Sequence, residues 1–144
     1  MCVLSGGKLV QDISHPSSHN MFWKDLSTNQ FVYDNPMRIN SIHHQLQYPY
    51  CLKDSDYEIY GFSKEISDEY EIGVGNNSIV NKSLILEKGE PEIVYYPKIK
   101  GLGIQFHPEM MAAGQVVNYL KIIAKQTILK ECYTTHHQLA LPKE

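Results

Sequence analysis

His107 and Glu109, within "GIQFHPEM" at residues 103–110, are the side chains whose types and spacing best suit proton chemistry. An imidazole whose tautomer and direction are held by a carboxylate is half of a relay that activates a nucleophile. The pair follows a short apolar run, "GLGIQF" (101–106), that reads as a strand, and it precedes a helical pattern. Open α/β sheets place their reactive groups at the carboxyl ends of strands. Residues i and i+2 of a strand point to the same side, and Pro108 stiffens the backbone between the two. Taken alone, "HPE" is a weak signal, read more simply as a proline turn followed by a glutamate at the positive end of a helix.

The other candidates are weaker. Cys2, Cys51 and Cys132 are odd in number, widely spaced and free of CxxC pairs, so they encode neither a disulfide framework nor a zinc knuckle. Reduced thiols are expected, and none of the three lies in a glycine-flanked elbow that would activate it. His15 and His19 have the spacing of a helical metal pair, but Pro16 and two serines between them argue against a helix. Adjacent His43 and His44 would face opposite sides of a strand, and no further ligands follow at recognisable spacing. No metal and no cofactor is expected. A metal-dependent hydrolase drawing on the seven histidines is the alternative that this spacing disfavours.

The bulk properties bound what these residues can serve. A chain of 144 residues with 42% hydrophobic residues and a net charge of -3 describes a mildly acidic globular protein, which excludes nucleic-acid binding as an expectation. Its apolar runs are too short for a membrane span, and "MCVLSGGKLVQD" has neither the basic start nor the apolar core of a signal peptide. A cytoplasmic setting follows by default.

Residues 1–4 read as the last turn of a helix stopped at Ser5-Gly6-Gly7, "KLVQDIS" as a brief alternating strand, and "HPSSHN" as a loop. "QFVYD" and "MRINSI" read as strands joined by the turn Asp34-Asn35-Pro36, and "YEIYGFS" as a further strand. "GVGNNSIVNK" reads as an irregular excursion. "SLILEKGEPEIVYY" has the pattern of a hairpin turning at Lys88-Gly89-Glu90. The long helical pattern covers about 110–131, with Ala113, Val116, Val117, Leu120, Ile123, Ala124 and Ile128 inward and Lys121, Lys125 and Lys130 outward. The expected organisation is one partial domain over 1–131 and a flexible tail over 132–144.

Three stretches in order carry a family resemblance. "SGGKLVQDISH" (5–15), "INSIHHQ" (39–45) and "GIQFHPE" (103–109) resemble motifs of the class I glutamine amidotransferase-like family, in particular its γ-glutamyl hydrolase and γ-glutamyl-GABA hydrolase branch. They span nearly the whole chain. The resemblance implies a three-layer, flavodoxin-like α/β sandwich and a Cys-His-Glu triad that attacks glutamine or a γ-glutamyl amide through a thioester, transferring the acyl group to water. By position, His107 would be the general base and acid, and Glu109 its orienter. His43, Gln45 and Leu46 would contact the glutamyl moiety of a small-molecule substrate, with His44 buttressing their loop.

The family's nucleophile elbow, Gly-x-Cys-x-Gly-x-Gln, lies upstream of the stretch matching Ser5-Gly6-Gly7, so the N-terminal half of the sandwich, with the nucleophile, is expected to be missing. The chain alone is then expected to be inactive. It would be the C-terminal part of a cysteine-dependent hydrolase whose true start lies upstream, or a truncated or split non-catalytic module pairing with a separate N-terminal chain or forming a homo-oligomer. For His43 and His44, an ordinary surface or core role remains the alternative.

Overall fold

The computed structural model describes residues 1–13, 18–42, 45–64, 70–72, 82–112 and 114–129. It is a mixed α/β structure of mostly antiparallel sheet with two helices. Its strands are β1 (Lys8–Ile13), β2 (Ser18–Asp25), β3 (Gln30–Asn40), β4 (Leu46–Tyr48), β5 (Glu58–Ser63), β6 (Tyr70–Ile72), β7 (Glu90–Tyr96) and β8 (Gly101–Ile104). The helices are α1 (Lys82–Lys88) and α2 (Gln115–Ala124). Five strands form one sheet in the order β3-β2-β5-β7-β8, and three form a smaller one, β4-β1-β6. Every described ladder is antiparallel.

The larger sheet is covered on both faces. Met21, Met37, Ile39, Tyr60, Ile93 and Tyr95 project to one side and pack against Val116, Tyr119 and Ile123 of α2. Val94 and Tyr96, on the other side of β7, pack against Cys2, with Leu52 and Tyr57 around them. Beyond them lies a third cluster, in which Val10, Leu46 and Tyr48 of the small sheet meet Tyr50 and Ile85 of α1. All of β7 is consequently buried. Among the described residues, no helix is long and apolar enough to cross a membrane.

Several expected elements take a different form. "SLILEK" is not the first arm of a hairpin: it lies in α1, and Gly89 ends that helix with φ of 88° and an N–H bonded to Ile85 O at 2.8 Å. A Cβ at Gly89 would come within 2.5 Å of the Phe62 ring, so packing as well as φ demands glycine. Only β7 of the expected hairpin is a strand.

Asp34-Asn35-Pro36 does not separate two strands either. Met21 pairs with Met37 and Trp23 with Val32, so residues 33–36 bulge from a single β3 opposite Phe22. The Trp23 indole N–H donates to Asn35 O at 2.8 Å and holds the bulge down.

The helix expected from about 110 begins at Gln115, because residues 108–110 form a separate 3-10 turn and Met111 is extended. After Ala124 it widens into a π-turn over Lys125–Leu129, where the Thr127 hydroxyl donates to Ile123 O at 2.8 Å. Its inward stripe follows the expected spacing at Val116 and Ile123, with Tyr119 added and Lys121 and Lys125 exposed. Residues 1–7 match expectation: Val3–Ser5 is one 3-10 turn, closed by Gly6 at φ of 85°. Of the excursion expected over 73–82, Lys82 opens α1 and residues 73–81 lie outside the described residues, as does the tail over 132–144.

His19, expected in a loop, is in β2 and fully buried. Its Nε2 lies 2.5 Å from Oε1 of Glu92, which is also fully buried. Glu92 occupies a bulge, since Gly61 pairs with Ile93 and Phe62 with Pro91. The bulge turns a side chain of a central strand toward β2 across the intervening β5. Removing one member of such a pair strands the other in a dry interior. Glu92→Ala is expected to cost about 3–5 kcal/mol of unfolding free energy, and Glu92→Gln, which keeps a hydrogen-bonding oxygen, markedly less. Urea unfolding monitored by circular dichroism measures both.

Candidate functional site

The segment leaving β8 is secured residue by residue. Gln105 N–H donates to Glu92 O at 2.8 Å, extending the link to β7 just past the strand end. Phe106 is buried in the cluster under α2. His107 follows with φ of −104° and ψ of 86°, and Pro108 opens the 3-10 turn Pro108–Met110. Met110 N–H closes that turn on His107 O at 3.1 Å.

This turn brings the imidazole and the carboxylate together. His107 Nδ1 lies 2.8 Å from Glu109 Oε1, with the histidine side chain 42% exposed and the glutamate 67%. The expected pairing is present, although a tight turn rather than strand alternation produces it. The hydrogen bond to His107 holds the Glu109 carboxyl below its ordinary value. With Nδ1 engaged, Nε2 is the ring nitrogen left to exchange a proton with a reactant.

Two side-chain amides tie this segment to the loop that follows β3. Asn40 Nδ2 donates to His107 O at 2.8 Å, and His107 N–H donates to Asn40 Oδ1 at 2.9 Å. Gln105 Oε1 accepts from Gln47 N–H at 2.9 Å, while its Nε2 donates to Gln45 O. Both stems of the 41–45 loop are thereby fastened to Gln105 and His107. His43 and His44 themselves lie outside the described residues. Gln45 is exposed. Leu46 is fully buried against Val10, Tyr48, Tyr50 and Ile85, which leaves its backbone, and not its side chain, for contact with a small molecule.

The two described thiols are engaged with backbone carbonyls. Cys2 is 4% exposed at the base of an open cleft of about 320 Å³ lined also by Gln45, Gln47, Gly103 and Gln105. Its Sγ points at Lys8 O, 3.3 Å away, and burial raises its pKa, so it remains a neutral thiol. Cys51 is exposed with Sγ 3.6 Å from Tyr48 O, and Cys132 is outside the described residues. Among the described residues no group of three or more His, Cys, Asp and Glu side chains is arranged to hold a metal ion. His15 falls outside them, and His19 is committed to Glu92.

Asn40 and Gln105 lie within stretches already notable in the sequence, yet nothing in residue type or spacing signals their pairings. Their partners are 67 and up to 60 residues away. No family model, curated protein or solved structure matches the chain.

The coupling within the pair has a pH signature. Glu109 is depressed in the folded chain, so the stabilisation from its contact with His107 is complete above 4.5, its ordinary value, and is lost as pH falls through the lower folded value. His107→Ala is expected to move the Glu109 titration up toward 4.5. Carboxyl-carbon NMR of the wild type and variant checks this, and an unmoved midpoint would show that the imidazole does not set it.

Proposed function

We propose that this chain supplies the acid–base half of a cysteine-dependent hydrolase of glutamine or small γ-glutamyl amides, with the thiol contributed from outside these 144 residues. The observation that carries the reading is the 2.8 Å contact between His107 Nδ1 and Glu109 Oε1 on an exposed turn beyond the end of a strand. His107 is accessible, yet held at both its backbone and its ring.

In the proposed reaction His107 Nε2 takes the proton of an incoming thiol as sulfur attacks the γ-carbonyl carbon. Glu109 stabilises the imidazolium that results. The same nitrogen then returns the proton to the departing ammonia or amine, leaving a thioester. Water, deprotonated by His107 in its turn, releases the γ-carboxylate and regenerates the thiol.

The buried, neutral Cys2 does not fit the nucleophile's role. The 41–45 loop, with both stems fastened to the catalytic segment, fits the role of a substrate wall, and His43, His44, Gln45 and the Leu46 backbone are its proposed contacts. For the fold, layering of α2, the large sheet and the small sheet with α1 supports the three-layer amidotransferase-like sandwich. Its parallel strands would come from the same external segment as the thiol.

The test is complementation. Alone, the chain is expected to release no ammonia from glutamine or amine from a γ-glutamyl anilide, and a glutamine-like electrophile should leave Cys2 unlabelled. Joined to or co-expressed with a segment bearing the glycine-flanked cysteine elbow, it should release both. His107→Ala in that assembly should lower kcat by about a thousandfold or more, whereas Cys2→Ser should change it little. Labelling of Cys2 in the isolated chain, or a folded assembly without turnover, would sink the reading.

A further inference from the structure

We infer that Asn40 is the positioning residue of the His107–Glu109 pair, its side-chain amide fixing the direction in which the imidazole leaves the backbone. The inference rests on the reading of that pair as an acid–base element, but its physical content can be tested without turnover.

β8 ends at Ile104, so His107 lies beyond the described ladder that orders the preceding residues. Its dihedrals, −104° and 86°, fall outside the helical basin and at the edge of the extended one. Without a ladder partner, the His107 carbonyl would keep only the Met110 N–H and its N–H would have none of the described bonds, so the ring would be held less firmly. Asn40 provides the substitute for a ladder partner. One primary amide takes the His107 N–H on Oδ1 and gives an N–H from Nδ2 to the His107 carbonyl, at 2.9 and 2.8 Å. A backbone N–H can only donate and a carbonyl only accept, which fixes the orientation of the amide as well.

The clamp itself stands on firm ground. Asn40 is the last residue of β3, opposite Ser18, and follows Ile39, whose side chain is buried under α2. The base of the Asn40 side chain is therefore part of the five-stranded sheet, while its tip holds the turn into which the chain runs after β8, the strand at the opposite edge. Chemistry narrows the residue type. Aspartate keeps the acceptor but lacks a donor and adds a negative charge, glutamine is one methylene too long for the same two bonds, and alanine offers neither.

The clamp has consequences for the ring. With the His107 peptide fixed, Nδ1 faces Glu109 and carries the proton of the neutral imidazole, which keeps Nε2 as the base. Without it, the ring should sample other directions, and the tautomer ratio should relax toward that of a solvated histidine.

The experiment compares the full chain with Asn40→Ala and Asn40→Asp by NMR. Three things are read: the ¹⁵N shifts of the His107 ring, exchange of the His107 amide proton, and the Glu109 carboxyl titration. The wild type is expected to show the Nδ1–H tautomer. In Asn40→Ala, amide exchange should accelerate by about tenfold or more, the tautomers should mix, and the Glu109 midpoint should rise toward its ordinary value. Asn40→Asp, which still accepts from the His107 N–H, should retain amide protection while its tautomer ratio falls between the other two. A folded Asn40→Ala that melts earlier yet keeps the wild-type tautomer and Glu109 titration would show Asn40 to be merely structural. Should Asn40→Ala fail to fold, a wild-type tautomer ratio in Asn40→Asp would overturn the inference by itself. None of these readouts depends on ammonia release, so failure of the hydrolase reading would be seen separately.

Discussion

The buried contact between His19 and Glu92 is the constraint on which the arrangement of this molecule rests. It joins β2 to β7 across β5, and it requires a bulge in β7 for the carboxylate to reach the ring. Burying two such polar groups carries a desolvation cost that a well-packed apolar pair would avoid, so net stability is a poor reason for the contact. Register is a better one. Shifting a strand by one residue turns each side chain to the opposite face, and His19 could then no longer meet Glu92. A mispaired sheet would leave both groups unsatisfied in the core.

From that bulge the order propagates outward. The Glu92 carbonyl accepts the Gln105 N–H, the Gln105 side chain fastens the start of β4, and Phe106 buries itself under α2. By the time the chain reaches His107 its path is set on three sides, by β7, by β4 and by the helix layer. The His107–Glu109 pair lies at the outermost link of a chain of constraints that begins in the fully buried part of the sheet. This is the arrangement expected when a site must be exposed to reactants and still geometrically exact to fractions of an ångström.

How much of this can be read from the sequence depends on how far apart the partners lie. His107 and Glu109 are legible because only Pro108 separates them and local backbone geometry suffices to bring them together. The strand of "YEIYGFS" and the inward stripe of α2 are legible for the same reason, since period is a local property. His19 with Glu92 and Asn40 with His107 are 73 and 67 residues apart, and only the tertiary fold supplies the encounter. "SLILEK" shows a different limit. A short apolar run fits a helix or a strand equally, and here the positive φ available at Gly89, together with a place for Ile85 between the small sheet and Tyr50, decides for the helix. Asp34-Asn35-Pro36 has the composition of a turn, and the same residues serve a bulge once Val32 pairs with Trp23 before it and Met37 with Met21 after it.

The exposure of the His107–Glu109 pair carries a final implication. An ion pair or hydrogen bond between solvent-exposed side chains contributes little free energy, since water competes for both partners and two side chains must be ordered to form it. The contact seen at 2.8 Å therefore adds little to the free energy that holds the segment in place. The orienting free energy has to come from bonds that water reaches less well. Those bonds are the part-buried ones between the Asn40 amide and the His107 peptide, and behind them the burial of Phe106. The pair can then stand exposed and still keep its geometry, because the bonds that hold its backbone sit one layer below.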